Sequence, residues 1–293
     1  MSGLDAVLLE PFAAYGFMRT ALVGIAALAL VNGPIGVLLL ARRMSLVGNV
    51  LSHAVMPGAA LGFALAGYSL FALSTGGLLT GLAVAALSSL FARARPQHED
   101  ITLAVFYLLS LAVGVLLVTA RGSNVDLMHV LFGTILAVDM PTLVLMALLA
   151  TISILVLAVL YRALLLEAFD PGFLQAVSGG GSVYRMVFLA LVVLDLIAGF
   201  QAFGTLLAVG PLLLPAAAAR CWSRRLGPSM ALAAIFGLAA GYAGLLLSFF
   251  LNLPSGPSIV LMAGGLYLLS LLATRYRPWP APAGGIEREG SLP

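Results

Sequence analysis

The sequence predicts an all-α, polytopic integral membrane protein with about eight to nine transmembrane helices. Three observations carry that class. Of 293 residues, 62% are hydrophobic and only 9% charged, with a mean hydropathy of +1.14, whereas a soluble domain carries about 25% charged residues to face water. The apolar residues run in continuous Leu/Ala-rich stretches of about 20, the length that crosses a bilayer as a helix, without the alternation of a transmembrane barrel. The basic residues fall in alternate connections, as the positive-inside rule requires. Soluble enzymes, nucleic-acid binders and secreted scaffolds are thereby excluded, and the basic pI of about 9.3 reflects orientation in the membrane more than an anionic partner.

Absences narrow the choice further. All 14 basic residues are Arg, with no Lys, so neither a P-loop nucleotide site nor a retinal Schiff base can form. The lone Cys221 cannot make an intramolecular disulfide or a thiolate cluster. The first residues carry Asp5 and Glu10 where a cleavable signal would have a positive n-region.

Taken in order, apolar stretches bounded by Gly, Pro and Arg give spans near 20–40, 46–66, 69–92, 101–120, 141–161, 184–203, 204–220, 229–251 and 258–274. The stretch 184–220 reads either as two short helices or as one broken one. Residues 1–277 form a single membrane domain, and the Pro/Gly-rich tail 278–293 has the composition of a disordered segment. Arg42 and Arg43, Arg93 and Arg95, Arg162 and Arg185, Arg220, Arg224 and Arg225, then Arg275 and Arg277 mark the cytoplasmic side; Arg19 and Arg121 are the minority on the other.

Two connections are more than turns. In the cytoplasmic stretch 162–183, Asp170 and Pro171 suit the N-cap and first position of a short helix, and Gly179 suits its stop. Phe173, Leu174 and Val177 form an apolar stripe between them. That stripe either packs on the protein's own helices or docks on a cytoplasmic partner. The external stretch 121–139 is too polar to span and reads as a half-helix at the outer mouth. It carries Asp126, His129 and Asp139, which either solvate a loop or attract cations.

Polar residues within the spans are the candidates for chemistry. In the second span, Ser45, Asn49, Ser52, His53, Met56 and Pro57 recur at steps of three and four, which puts them on one helical face. Such a face is costly in hydrocarbon and must turn toward a partner or a water-filled path. It is either a helix–helix hydrogen-bond seam or a pathway lined by a neutral imidazole, a ligand suited to zinc and other first-row metals. Asp195 lies centrally in VVLDLIAGF, with Gln201 about two turns on; an intramembrane carboxylate is a functional-site candidate by default. HExxH and GxSxG are absent, which speaks against an intramembrane enzyme. No internal repeat supports an ion-coupled secondary transporter, the reading from a different transport class.

The segment RRMSLVGNVLSHAVMPGAALGF resembles the signature segment of the membrane permeases of zinc and manganese ABC importers. DLMHVLFGTILAV, FDPGFLQAVSG, GTLLAVGPLLLPAAAAR and LPSGPSIVL follow in the family's order, so the resemblance runs from about residue 17 to 272. It implies the ABC importer permease fold in a bacterial inner membrane. The implied assembly is a homodimer served by a separate cytoplasmic ATPase, which binds the ATP, and by an extracytoplasmic metal-binding protein. The chain itself would then be non-catalytic and hold no permanent cofactor, with a transported divalent metal, zinc first and manganese, iron or a chelate next. By the same resemblance His53 and Asn49 line the metal path and 162–183 is the coupling segment for the ATPase; Ser52 and Met56 join the path as members of the same helical face, and Asp195, an acid not expected in typical relatives, is a further candidate. One departure stands out: Asn49 replaces the family's usual Asp. Asp195 is the acid that would compensate for it across the path.

Overall fold

The computed structural model describes residues 3–66, 69–94, 135–170, 172–174, 181–204 and 207–275, with isolated positions between 105 and 116. Nine α-helices account for nearly all of it, and the described residues contain no strand. They are α1 (Gly3–Ala14), α2 (Gly16–Ala41), α3 (Ser45–Ala66), α4 (Leu70–Ala94), α5 (Met140–Phe169), α6 (Gly181–Phe203), α7 (Val209–Trp222), α8 (Leu226–Leu251) and α9 (Ser255–Arg275). A 3-10 turn at Ile135–Ala137 leads into α5. Among the described residues, six helices are long and apolar enough to cross a membrane: α2, α4, α5, α6, α8 and α9. The expected spans at 20–40, 46–66, 69–92, 141–161, 184–203, 229–251 and 258–274 each coincide with one helix. That at 101–120 lies almost wholly outside the described residues, as does the tail 278–293.

The ambiguous stretch 184–220 resolves into two helices. Gly204 ends α6 with φ 77°, a left-handed conformation that glycine adopts without penalty. The following α7 has only 14 residues, about 21 Å at 1.5 Å per residue, too short for a hydrocarbon core of about 30 Å. Helix α1 was not among the expected spans. It lies against α8, where Tyr242 stacks on Phe12 with centroids 4.9 Å apart and its hydroxyl donates to the Leu8 carbonyl at 2.7 Å.

Helix α2 is the hub, packing against α1, α5, α6, α7 and α8. It therefore buries residues on every side, from Met18 through Leu39, and shows no polar stripe; a helix apolar all round belongs in the interior. Around it Leu38, Leu51, Phe188, Val192, Leu196 and Leu212 form one continuous core. Helices α3 and α4 make a tight hairpin that leans on α6. A Cβ at Gly58 would collide with the carbonyl of Gly76, and one at Gly62 with that of Ala72. Small residues are what allow backbones to approach this closely when lipid supplies no hydrophobic drive between helices.

Helix ends gather the basic residues as the orientation rule anticipates. The C-terminus of α2, the C-terminus of α5 and the first turns of α6 meet through Arg42, which lies over the Phe188 ring at 3.9 Å and pairs with Glu167. Arg220 donates to the Arg224 carbonyl at 3.3 Å across the α7–α8 turn.

Candidate metal pathway and coupling surface

Helix α3 presents its polar residues outward. Val47, Leu51, Ala54 and Val55 are buried against the rest of the subunit, whereas Asn49 is exposed and Ser45, His53 and Met56 are half-buried. Two members of the expected face turn away from it. Ser52 is buried and spends its hydroxyl on the Asn49 carbonyl, one turn back in the same helix, at 2.8 Å; Pro57 is also buried. Asn49, His53 and Met56 thus remain together on an outer surface, one helical turn apart. An imidazole nitrogen, an amide oxygen and a thioether can ligate a divalent cation. Among the described residues no three His, Cys, Asp or Glu side chains gather where they would hold a metal ion.

Asp195 occupies a different environment. It is 4% exposed, inside the bundle on α6. With the amide nitrogen of Asn32 turned toward it, Asn32 donates to both carboxylate oxygens, at 2.7 and 2.8 Å; that orientation is assigned from the hydrogen-bond network. Asn32 sits on α2 and is itself buried. A cavity of about 10 Å³ beside it, lined also by Ile25, Phe203 and Pro211, has room for about one water. Sequence reading missed Asn32 because a single amide in an apolar helix carries no periodic signal. Gln201, expected to share the face of Asp195, instead donates to Ser74 of α4 at 3.4 Å.

At the outer end, Asp139 caps α5, accepting the Thr142 N–H at 3.0 Å. Hydrogen bonds from Thr142 hold its carboxyl below the usual carboxylate range, as expected for an acid at a helix N-terminus. Asp126 and His129 lie outside the described residues.

At the basic end, Asp170 closes α5 and opens the next turn. Its backbone N–H reaches the Leu166 carbonyl at 2.8 Å, while its side chain accepts the Phe173 N–H at 2.8 Å, the N-cap bond expected from the sequence. The apolar stripe divides: Leu174 is buried, whereas Phe173 is 53% exposed. Phe169 and Leu166 are exposed beside it on α5, making an apolar patch. Pro171 and Val177 fall outside the described residues. The same end of α5 carries an ion pair that the sequence did not disclose, because its members are 125 positions apart: Arg42 Nη1 is 2.5 Å from Glu167 Oε2, with side chains 4% and 9% exposed.

Comparison with known proteins agrees with this architecture. The manganese transport system membrane protein MntC of Halalkalibacterium halodurans is 32% identical over 257 residues, covering 87% of each chain. The manganese import system permease protein ScaB of Streptococcus parasanguinis is 33% identical over 256 residues, 87% of this chain and 90% of that one. Among solved structures, PsaBC from Streptococcus pneumoniae in complex with Fab superposes with a TM-score of 0.80 at 29% identity, covering 92% of this chain and 98% of that one. An inward-facing putative metal-chelate type ABC transporter shares the fold, with a TM-score of 0.62 at 19% identity. Residues 14–274 match the ABC 3 transport family, and the chain belongs to that family.

Proposed function

We propose that this chain is the membrane permease of an ATP-driven importer that carries a divalent transition metal across a bacterial inner membrane, manganese being the best-supported cargo. The observation that carries the reading is the outward face of α3. On it Asn49 is exposed and His53 half-buried, in a subunit built to lie in hydrocarbon, where a polar outer face is costly. A second copy of the chain, placing its own α3 opposite, would cover both faces and bring a second set of the same donors to the path. The path then runs between two subunits, as a homodimer.

Cargo follows from donor chemistry and from relatives. Carbonyl oxygens suit manganese and imidazole suits zinc, so the donors alone admit both. The names of the MntC and ScaB relatives specify manganese and tip the reading toward it, with zinc as the second cargo that His53 favours. Asp195 is engaged with Asn32 and enters this reading as an indirect contributor to the path. The ATPase would seat on Phe169 and Phe173, and a metal-binding protein would deliver the ion at the other face, where Asp126, His129 and Asp139 are the candidate contacts.

Uptake of ⁵⁴Mn²⁺ and ⁶⁵Zn²⁺ tests this in chelator-starved cells lacking the gene and complemented with wild type or His53→Ala. Wild type should restore manganese uptake, and the variant should lose about 100-fold or more, beyond the 10–100-fold typical of losing only an outer-shell partner. Restoration of zinc alone would reassign the cargo while keeping the mechanism. Equal uptake by the His53 variant would remove α3 from the path.

A further inference from the structure

We propose that the buried Arg42–Glu167 pair is the link through which the ATPase-coupling segment moves the metal-lining helix α3, which makes both residues positioning residues for transport. The inference rests on the reading of 162–183 as the coupling segment. Its basis is a set of short, defined contacts at the end of α5. Phe173 is tied to Asp170 by a cap bond of 2.8 Å, and Asp170 to Leu166 by the last backbone bond of α5, also 2.8 Å. Three residues before Asp170, Glu167 meets Arg42. Arg42 also donates from Nη2 to the Leu164 carbonyl at 2.9 Å, so its guanidinium bridges the final turns of α5. Its Cζ lies over the Phe188 ring of α6 at 3.9 Å, a cation–π contact.

On its other side Arg42 is part of the α2–α3 turn and has little freedom there. Its N–H bonds the Leu38 carbonyl at 3.0 Å and that of Met44 bonds Leu39 at 2.9 Å, with Arg43 between them at φ 58°. Helix α3 starts at Ser45, so Asn49 and His53 stand about one and two turns beyond. Contact between α2 and α3 along their lengths is slight beside that of α3 with α4, which makes this turn the direct route from α5 to the head of α3. Arg42 remains charged near neutrality: burial lowers its pKa to about 10, Glu167 opposes that fall and Arg185 adds to it. A charged, desolvated, forked contact resists sliding, whereas apolar contacts along lipid-facing helices do not.

The test uses the whole complex in proteoliposomes, with Mn²⁺ and Zn²⁺ as probes, and reads metal moved per ATP hydrolysed. Arg42→Gln and Glu167→Gln each break a buried ion pair from one side, a destabilising change in itself; the double variant removes both charges and relieves that. A link predicts that all three variants lose about tenfold or more in metal moved per ATP, with the double variant assembled at the wild-type level. A purely structural pair predicts that the double variant regains the wild-type ratio, or that assembly falls while the ratio of the remaining complexes is unchanged; either result overturns the proposal. Wild-type ratios in all three variants overturn it as well. A wild-type complex that moves neither ion sinks the transport reading and the link with it, whereas a wild-type complex that moves metal confines any failure to the link.

Discussion

At the scale of single residues, Asn49 would set how tightly the proposed path holds its cargo. An amide oxygen coordinates a cation through its dipole, while a carboxylate adds a full negative charge, and ion affinity rises with the number of charged ligands. Conduction demands the opposite, a site weak enough to release what it binds. Asn49→Asp should therefore lower the half-saturating Mn²⁺ concentration about tenfold, about 1.4 kcal/mol, and slow the maximal rate. Uptake kinetics in proteoliposomes check this; an unchanged half-saturation would mean that position 49 does not touch the ion. Asp195 contrasts with it. With Asn32 donating to both of its oxygens, its carboxylate already has the hydrogen-bond partners that a buried polar group needs, so its contribution would be to fix α2 against α6.

At the scale of elements, helix packing follows from where side chains are missing. Gly58 and Gly76 oppose each other across the α3–α4 hairpin so closely that a Cβ on either would strike the other's carbonyl. Gly58→Val should separate the helices and destabilise the subunit by about 3 kcal/mol, the upper end of ordinary overpacking, because backbone cannot yield as a flexible side chain can. Thermal unfolding in detergent reads this, and wild-type stability would show that the hairpin opens without cost. Helix positions were legible in the sequence because hydrophobic runs and helix breakers are local signals, as at Asp170, whose cap bond to Phe173 was expected. The polar stripe of α3 was also legible, though periodicity alone could not tell that Ser52 and Pro57 turn inward while Asn49 faces out. Pairings across the bundle were not legible. Asn32 with Asp195, Gln201 with Ser74 and Arg42 with Glu167 join residues more than 100 positions apart, and no local pattern encodes a partner at that distance. Helix α1 escaped notice because Glu10 and Pro11 interrupt its apolar run.

At the scale of the whole molecule, the proposed homodimer makes one subunit half of a machine. Its outer surface is mostly leucine, valine and phenylalanine, as on α5, where Val144, Leu155 and Val159 are exposed, and such faces suit lipid. The face of α3 around Asn49 and His53 does not, and two-fold symmetry offers the simplest cover, since an isologous contact sets the same patch against itself. Residues near the axis of such a contact lie close to their own counterparts. The chain has a single cysteine, so Cys221→Ser gives a clean background for Asn49→Cys. A short bifunctional thiol reagent applied to membranes should then convert this variant to a covalent dimer, and Mn²⁺ should slow the conversion if the two positions share the ion. Ala54→Cys, on the buried side of the same helix, should stay monomeric under the same treatment and so exclude random collision. A monomer at position 49 as well would place the path within one subunit, and the exposed Asn49 amide would then require a different covering partner.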